Sequence, residues 1–172
     1  MKVTLFMAVS LNGFIARKDG EEDFLSHDNW NSFSELVNSH KNFVIGRKTY
    51  EAVKKWGEEY SFDDFTNAKK IVVSKNKDYK LDKGYILASS PEEAINIFKE
   101  QGAEKALITG GSNLNTAFAK KGLINEIILN IEPKIIGEGI PLFFTDKFDL
   151  ELELKDIKEL GKGLLQVRYE VG

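Results

Sequence analysis

Short apolar, β-prone runs alternate with stretches of helical periodicity along most of this chain, and that alternation limits the fold more than any other feature. Residues 2–9, 42–45, 70–74, 85–88, 105–109 and 124–131 each read as a buried strand. Between them, Trp30, Phe33, Leu36 and Val37 recur at helical spacing and predict a helix over about 28–40, with Asp28 as its N-cap. Tyr50, Val53 and Trp56 mark a second helix after Gly46-Arg47-Lys48-Thr49. Ser90-Pro91-Glu92-Glu93 holds a complete helix start, with Ser at the N-cap, Pro at N1 and Glu at N3, and that helix stops at Gly102. A fourth helix follows Gly110-Gly111 and runs to Gly122. Near the C-terminus the style changes. Leu150, Leu152 and Leu154, then Leu165, Val167, Tyr169 and Val171, alternate with polar residues. These are half-buried antiparallel strands joined near Gly161-Lys162-Gly163, with a phase slip between Leu154 and Ile157 that predicts a bulge. The fold class is therefore α/β: a central mixed, mainly parallel sheet with helices on both faces and a C-terminal antiparallel hairpin.

The 172 residues fit one domain spanning 1–172. A net charge of −3, from 24 basic and 27 acidic residues, gives no bulk attraction to nucleic acid or to an acidic membrane. With no cysteine, thiol nucleophiles, thiolate metal sites and disulfides are excluded. His27 and His40 have no partner at metal-ligand spacing, so no metal is expected. The apolar run at the N-terminus is too short for a signal peptide or a membrane span, and a cytoplasmic protein is expected.

In open α/β sheets ligands gather where strand ends meet helix starts. Three such turns carry unusual chemistry. Gly46-Arg47-Lys48-Thr49 combines free amides, a hydroxyl and two cations, which suits a phosphate or simply a capped helix with solvated side chains. Ser74-Lys75 places a hydroxyl and an ammonium just past a strand, either as a phosphate contact or as a polar loop. Gly110-Gly111-Ser112-Asn113 lets the backbone approach a ligand with no Cβ in the way, where a tight turn would ordinarily need one glycine. The glycine fingerprint of a dinucleotide-binding βα turn is missing from the first turn, Ser10-Leu11-Asn12-Gly13, and GxxxxGK[ST] is absent.

Four blocks, AVSLNGFIA (8–16), VIGRKTYE (44–51), IVVSKN (71–76) and ITGGSNLNTAFAKKGLINEIILNIEPKIIGEGIPLF (108–143), resemble the dihydrofolate reductase superfamily, nearest to its RibD C-terminal branch, the pyrimidine reductases of riboflavin synthesis. The resemblance implies a dihydrofolate reductase-like domain that uses NADPH to reduce a small heterocyclic molecule. It implies that Gly46, Arg47, Lys48 and Thr49 face the cofactor phosphates and that Ser74 and Lys75 lie by the adenosine 2′-phosphate. Gly110, Gly111, Ser112, Asn113 and Leu114 would hold the pyrophosphate and neighbouring ribose, with a cis peptide at the glycine pair. Ala8 and Ile15 would flank the nicotinamide. The family also implies a homodimer.

The substrate side departs from the folate enzymes. Glu21 to Trp30 contains no proline, and the position of the folate enzymes' helical carboxylate falls near Trp30. Asp28, two residues away, is the acid expected to bind or protonate substrate, or else a helix N-cap. Asn12 stands where the riboflavin branch carries a polar substrate contact, or else is a turn residue. No deaminase domain with zinc ligands accompanies these blocks, which implies a stand-alone reductase or a relative with another substrate. The expected activity resembles that of 5-amino-6-(5-phosphoribosylamino)uracil reductase. Its alternatives are dihydrofolate reductase-type action on a pteridine and a non-catalytic NADPH-binding relative.

Overall fold

Each apolar run predicted as a buried strand enters one eight-stranded sheet. The computed structural model describes residues 1–56 and 58–172. In chain order the elements are β1 (Lys2–Ser10), β2 (Phe14–Ala16), α1 (Asp28–His40), β3 (Asn42–Gly46), α2 (Arg47–Val53), β4 (Lys69–Val73), β5 (Tyr85–Ala88), α3 (Pro91–Glu100), β6 (Lys105–Ile108), α4 (Ser112–Lys120), β7 (Glu126–Glu132), β8 (Ile140–Pro141), β9 (Leu152–Gly161) and β10 (Leu164–Val171). The strand order is β5-β4-β3-β6-β1-β7-β10-β9, and β2 pairs with β8 in a separate two-stranded ribbon. The strands from β5 across to β7 run parallel, whereas β10 is antiparallel to both β7 and β9.

Successive side chains on a strand point to opposite faces, so a strand buried on both sides reads as a continuous apolar run. Val44 of β3 and Ile71 of β4 pack with Ala94 and Phe98 of α3 and with Leu114 and Phe118 of α4. Their neighbours Phe43, Ile45 and Val72 pack on the other face with Phe33 and Val37 of α1 and Tyr50 and Val53 of α2. Helices thus cover both faces, α1 and α2 on one and α3 and α4 on the other. The start of α3 follows its sequence, since Ser90 Oγ accepts from the Glu93 amide at 3.2 Å and Pro91 opens the helix. The Glu93 carboxylate reaches one residue further back than a simple capping box, to the Ser89 amide at 2.7 Å.

Three expectations need correction. Asp28 does not cap α1: it is the first helical residue, His27 holds the cap position, and no side chain caps the helix. The helix after Thr49 ends at Val53, short of Trp56. The bulge lies where it was predicted, with Asp156 opposite Arg168 and Leu154 opposite Tyr169, but the apolar alternation of β9 does not bury that strand. Leu152, Leu154 and Ile157 are 46%, 49% and 55% exposed, because β9 is the edge strand of the sheet. Among the described residues, no helix is long and apolar enough to cross a membrane.

Phe43 is fully buried, with its ring 5.6 Å from Phe33, 5.1 Å from Phe62 and 6.2 Å from Phe65. Replacing it with alanine removes the centre of that aromatic cluster, so Phe43→Ala is expected to cost about 3–5 kcal/mol of stability. Urea or guanidinium unfolding at constant m-value measures it, and a loss below about 1 kcal/mol would mean that the cluster does not pack as described.

Candidate active site

Parallel strands place their C-terminal ends on one edge, and here that edge gathers the turns singled out by their chemistry. Gly46 at the end of β3 pairs with Val73 at the end of β4, and Ser74 and Lys75 follow. The Gly46 amide donates to the Gly110 carbonyl at 2.8 Å, and the Thr109 amide donates to the Val44 carbonyl at 3.0 Å. These bonds bring the turn at 46–49 against the glycine pair. The Gly110–Gly111 peptide is cis and Gly110 has φ +83°, a left-handed conformation that suits glycine. A Cβ on Gly110 would lie 3.0 Å from Met7 Sδ and Cε, and one on Gly111 would lie 3.2 Å from Thr49 Oγ1. Met7 and Thr49 thus hold the space that a side chain at either position would need, and the glycine backbone lines the cavity beside β1.

The other predicted residues fall into distinct situations. Arg47 bonds to Glu51 at 2.7 Å and lies over the Tyr79 ring, so its guanidinium is already engaged on the flank of α2. Lys48 and Lys75 are exposed, as is Asn113 in the first turn of α4. Ser74 is buried and its hydroxyl accepts from the Asn76 amide, 3.1 Å away, which shapes the loop after β4. Ser112 is buried too, with its hydroxyl donating to the Pro141 carbonyl, and Leu114 packs into the core. Ala8 and Ile15 are buried residues whose side chains line a cleft of about 290 Å³ together with Met7, Thr49, Thr109, Gly110 and Gly111.

The opposite wall of this cleft comes from residues whose roles the sequence did not reveal. Trp30 and Phe33 of α1 meet Trp56, Tyr60 and Phe62 there. Trp30 is near-parallel to Phe62 at 6.0 Å and edge-on to Tyr60 at 5.4 Å, so aromatic edges and faces make up this wall. Glu21, Glu22 and Asp23 line the same wall. Burial, with a smaller contribution from neighbouring Glu21, pushes the half-buried Glu22 carboxyl up to about 7. Asp23 is held well below the ordinary carboxylate range by its hydrogen bond to Arg17.

Deeper in the wall, Glu132 at the end of β7 is 4% exposed. It accepts from the Ser26 amide and hydroxyl, both at 2.6 Å, and from the Asn29 amide nitrogen at 2.7 Å. This buried anion is satisfied by three donors and fixes the segment that enters α1. The signals for this wall were the acidic run 21–23 and a glutamate ending a mainly apolar strand, yet neither shows what it faces.

The two residues expected to act on substrate do not line the cleft. Asp28 lies at the start of α1, where its carbonyl accepts from Ser32 Oγ at 3.1 Å, while Asn29 beside it faces the cavity. Helical geometry separates neighbouring side chains by about 100°, so the residue next to the right one points elsewhere. Asn12 is spent on structure: its oxygen accepts from Ser10 Oγ at 2.8 Å and its nitrogen donates to the Ile136 carbonyl at 2.8 Å. Those bonds pin the loop after β1 to the loop before β8.

Comparison with known proteins agrees with this architecture. The family model of the RibD C-terminal domain matches residues 1–166. The uncharacterized protein YwjB of Bacillus subtilis is 30% identical over 172 residues, covering 98% of this chain and 97% of its own length. The diaminohydroxyphosphoribosylaminopyrimidine deaminase/5-amino-6-(5-phosphoribosylamino)uracil reductase of Thermotoga maritima superposes with a TM-score of 0.76 at 18% identity, over 99% of this chain and 56% of that one. A dihydrofolate reductase of Enterococcus faecalis, complexed with NADP(H), superposes with a TM-score of 0.72 at 15% identity, over 99% of this chain and 96% of that one. The chain belongs to the RibD C-terminal domain family and has a dihydrofolate reductase-like fold.

Proposed function

We propose that the protein is an NADPH-dependent reductase of a small heterocyclic molecule. The observation that carries this reading is the single cleft in which the side-chain-free glycine pair meets an aromatic wall. The residues present fit a dinucleotide: a Cβ at either glycine would crowd Met7 or Thr49, and the backbone edge left open there suits close approach of an anionic group. Gly46, Thr49, Gly110, Gly111, Ser112, Asn113 and Leu114 would form the pyrophosphate side, with Arg47, Lys48, Ser74 and Lys75 beside it and Ala8 and Ile15 at the nicotinamide. A bound reduced nicotinamide supplies hydride to an electron-poor C=N or C=O carbon and leaves as the oxidised dinucleotide. The chain's own part is to hold the acceptor beside the aromatic wall of Trp30, Phe33 and Tyr60, to limit water, and to provide a proton for the nitrogen or oxygen. Glu22, rather than Asp28, is the carboxyl on the cleft wall that suits this last task, because its raised titration leaves it protonated near neutrality. The apolar side chains that β9 exposes support assembly as a homodimer through that edge of the sheet.

The cofactor is tested by titration: NADPH is expected to bind at micromolar concentration or below, and more tightly than NADH. Gly111→Val is expected to abolish that binding while the circular dichroism spectrum stays native. Equal affinity for the two dinucleotides, or unchanged binding by the variant, would overturn the cofactor assignment. With any pteridine or phosphoribosylaminopyrimidine that supports NADPH oxidation, kcat/KM is expected to fall as pH rises through about 7, since the donor is lost as Glu22 ionises. Glu22→Gln is expected to lower the rate about a hundredfold and remove that inflection. A wild-type profile flat from about pH 5 to about pH 9 would exclude Glu22 as the acid. Light scattering is expected to give twice the 19.4 kDa chain mass, and Leu154→Glu to return it to the monomer value.

A further inference from the structure

Tyr60 and Phe62 of the cleft wall belong to a segment between α2 and β4 that has little main-chain attachment to the rest of the fold. Among the described residues, the amides of Asp64, Phe65, Thr66 and Ala68 donate only to carbonyls of Ser61, Phe62, Asp64 and Phe65. Ser61 Oγ accepts from the Asp63 amide at 3.2 Å, so the turn closes on itself. Apolar packing holds it down: Phe62 is buried, near-parallel to Trp30 and 5.1 Å from the Phe43 ring. Such packing is non-directional and does not by itself fix where the turn sits.

Two side chains from the sheet supply the direction. Lys70 of β4 and Tyr85 of β5 are register partners, and the Lys70 ammonium lies 5.1 Å from the centre of the Tyr85 ring. Lys70 is 6% exposed, an uncommon situation for a lysine. Its Nζ donates to the Phe62 carbonyl at 3.0 Å and to the Asp63 carbonyl at 3.5 Å. The Tyr85 hydroxyl donates to Asp63 Oδ1 at 2.8 Å. The ion pair from Lys70 to Asp63 is weak, since the atoms are 4.0 Å apart and the carboxylate is exposed. A buried ammonium is a poor source of stability, because an apolar side chain of similar length would fill the site without giving up water. What an apolar side chain cannot supply is the directional bond to the Phe62 carbonyl. At the other end of the segment, the Tyr60 hydroxyl lies 3.0 Å from His27 Nδ1, at the start of α1.

We propose that Lys70 and Tyr85 are positioning residues: acting through the turn at 61–64, they set where Tyr60 and Phe62 stand against Trp30, and thereby the fit of the acceptor rather than of the dinucleotide. Neither residue lines the cleft, so each acts only through the turn it holds. The proposal rests on the reductase reading and deepens it.

The chain's 2 tryptophans, Trp30 and Trp56, both line the cleft, so their fluorescence reports on this wall. In Lys70→Met, acrylamide quenching of the ligand-free protein is expected to rise about twofold while the urea midpoint stays near that of the wild type. The Kd of 6-hydroxymethylpterin on protein saturated with NADP+ is expected to weaken about tenfold, with NADP+ affinity unchanged. Tyr85→Phe keeps the ring and loses the bond to Asp63, and it is expected to show the same two changes at smaller size. It carries the test if Lys70→Met does not fold. Unchanged quenching in the folded variants, a lowered midpoint as the sole effect, or equal weakening of pterin and NADP+ overturns the proposal and leaves the reductase reading standing. So does a pterin that fails to bind the NADP+-loaded wild-type protein. Failure of NADP+ itself to bind the wild-type protein overturns both.

Discussion

Burial of the sheet on both faces is the constraint on which everything else depends. With α1 and α2 on one side and α3 and α4 on the other, the parallel strands keep only their tips for a ligand. The tips at the C-terminal edge carry the amides and the helix starts, so the functional groups of distant segments converge there for a topological reason. The bond from the Gly46 amide to the Gly110 carbonyl ties two of those tips together. The absence of side chains at Gly110 and Gly111 lets Met7 and Thr49 pack directly against this backbone.

The cleft that results is chemically lopsided. Its sheet side offers backbone, small side chains and, nearby, the cations of 47–48 and 75. Its α1 side offers aromatic rings and carboxylates. That asymmetry is maintained at some cost. Glu132 is a buried anion, and its hydrogen bonds to Ser26 and Asn29, each worth about 1.5–3 kcal/mol for a charged acceptor, replace the water it lost. The same bonds fix the approach to α1, so the electrostatics and the shape of that wall depend on one residue. Trp30 and Phe33, whose tilted rings meet at 5.4 Å, are part of the core and of the cleft at once, which couples the rigidity of the site to packing.

The fold was legible to the extent that it is written in local periodicity. The strand runs, the Ser90-Pro91 helix start and the phase slip between Leu154 and Ile157 are all readable because each depends on neighbours close in sequence. The turns at 46–49, 74–75 and 110–113 were legible as strand ends running into loops or helix starts because their glycines, hydroxyls and cations are contiguous in the sequence, although glycines, not Thr49, hold the cap positions of α2 and α4. The substrate wall was not. Asp28 and Asn29 are adjacent, and only the rotation of α1 decides which one faces the cavity. Asn12 has the chemistry of a substrate contact but is committed to the Ile136 backbone, a partner far along the chain. The apolar alternation of β9 promised burial, yet burial depends on what covers the edge of the sheet.

The sequence by itself determined the α/β class, the segments that become strands and helices, and the family, because these follow from spacing and from motifs that are contiguous. Only the tertiary structure decided that Glu22 and Asn29 share one wall, with Glu132 bonded to Asn29, and that Asp28 and Asn12 do not belong to it. Those facts depend on which residues, far apart in the chain, are brought within hydrogen-bonding distance, and one residue of helical rotation is enough to exchange them.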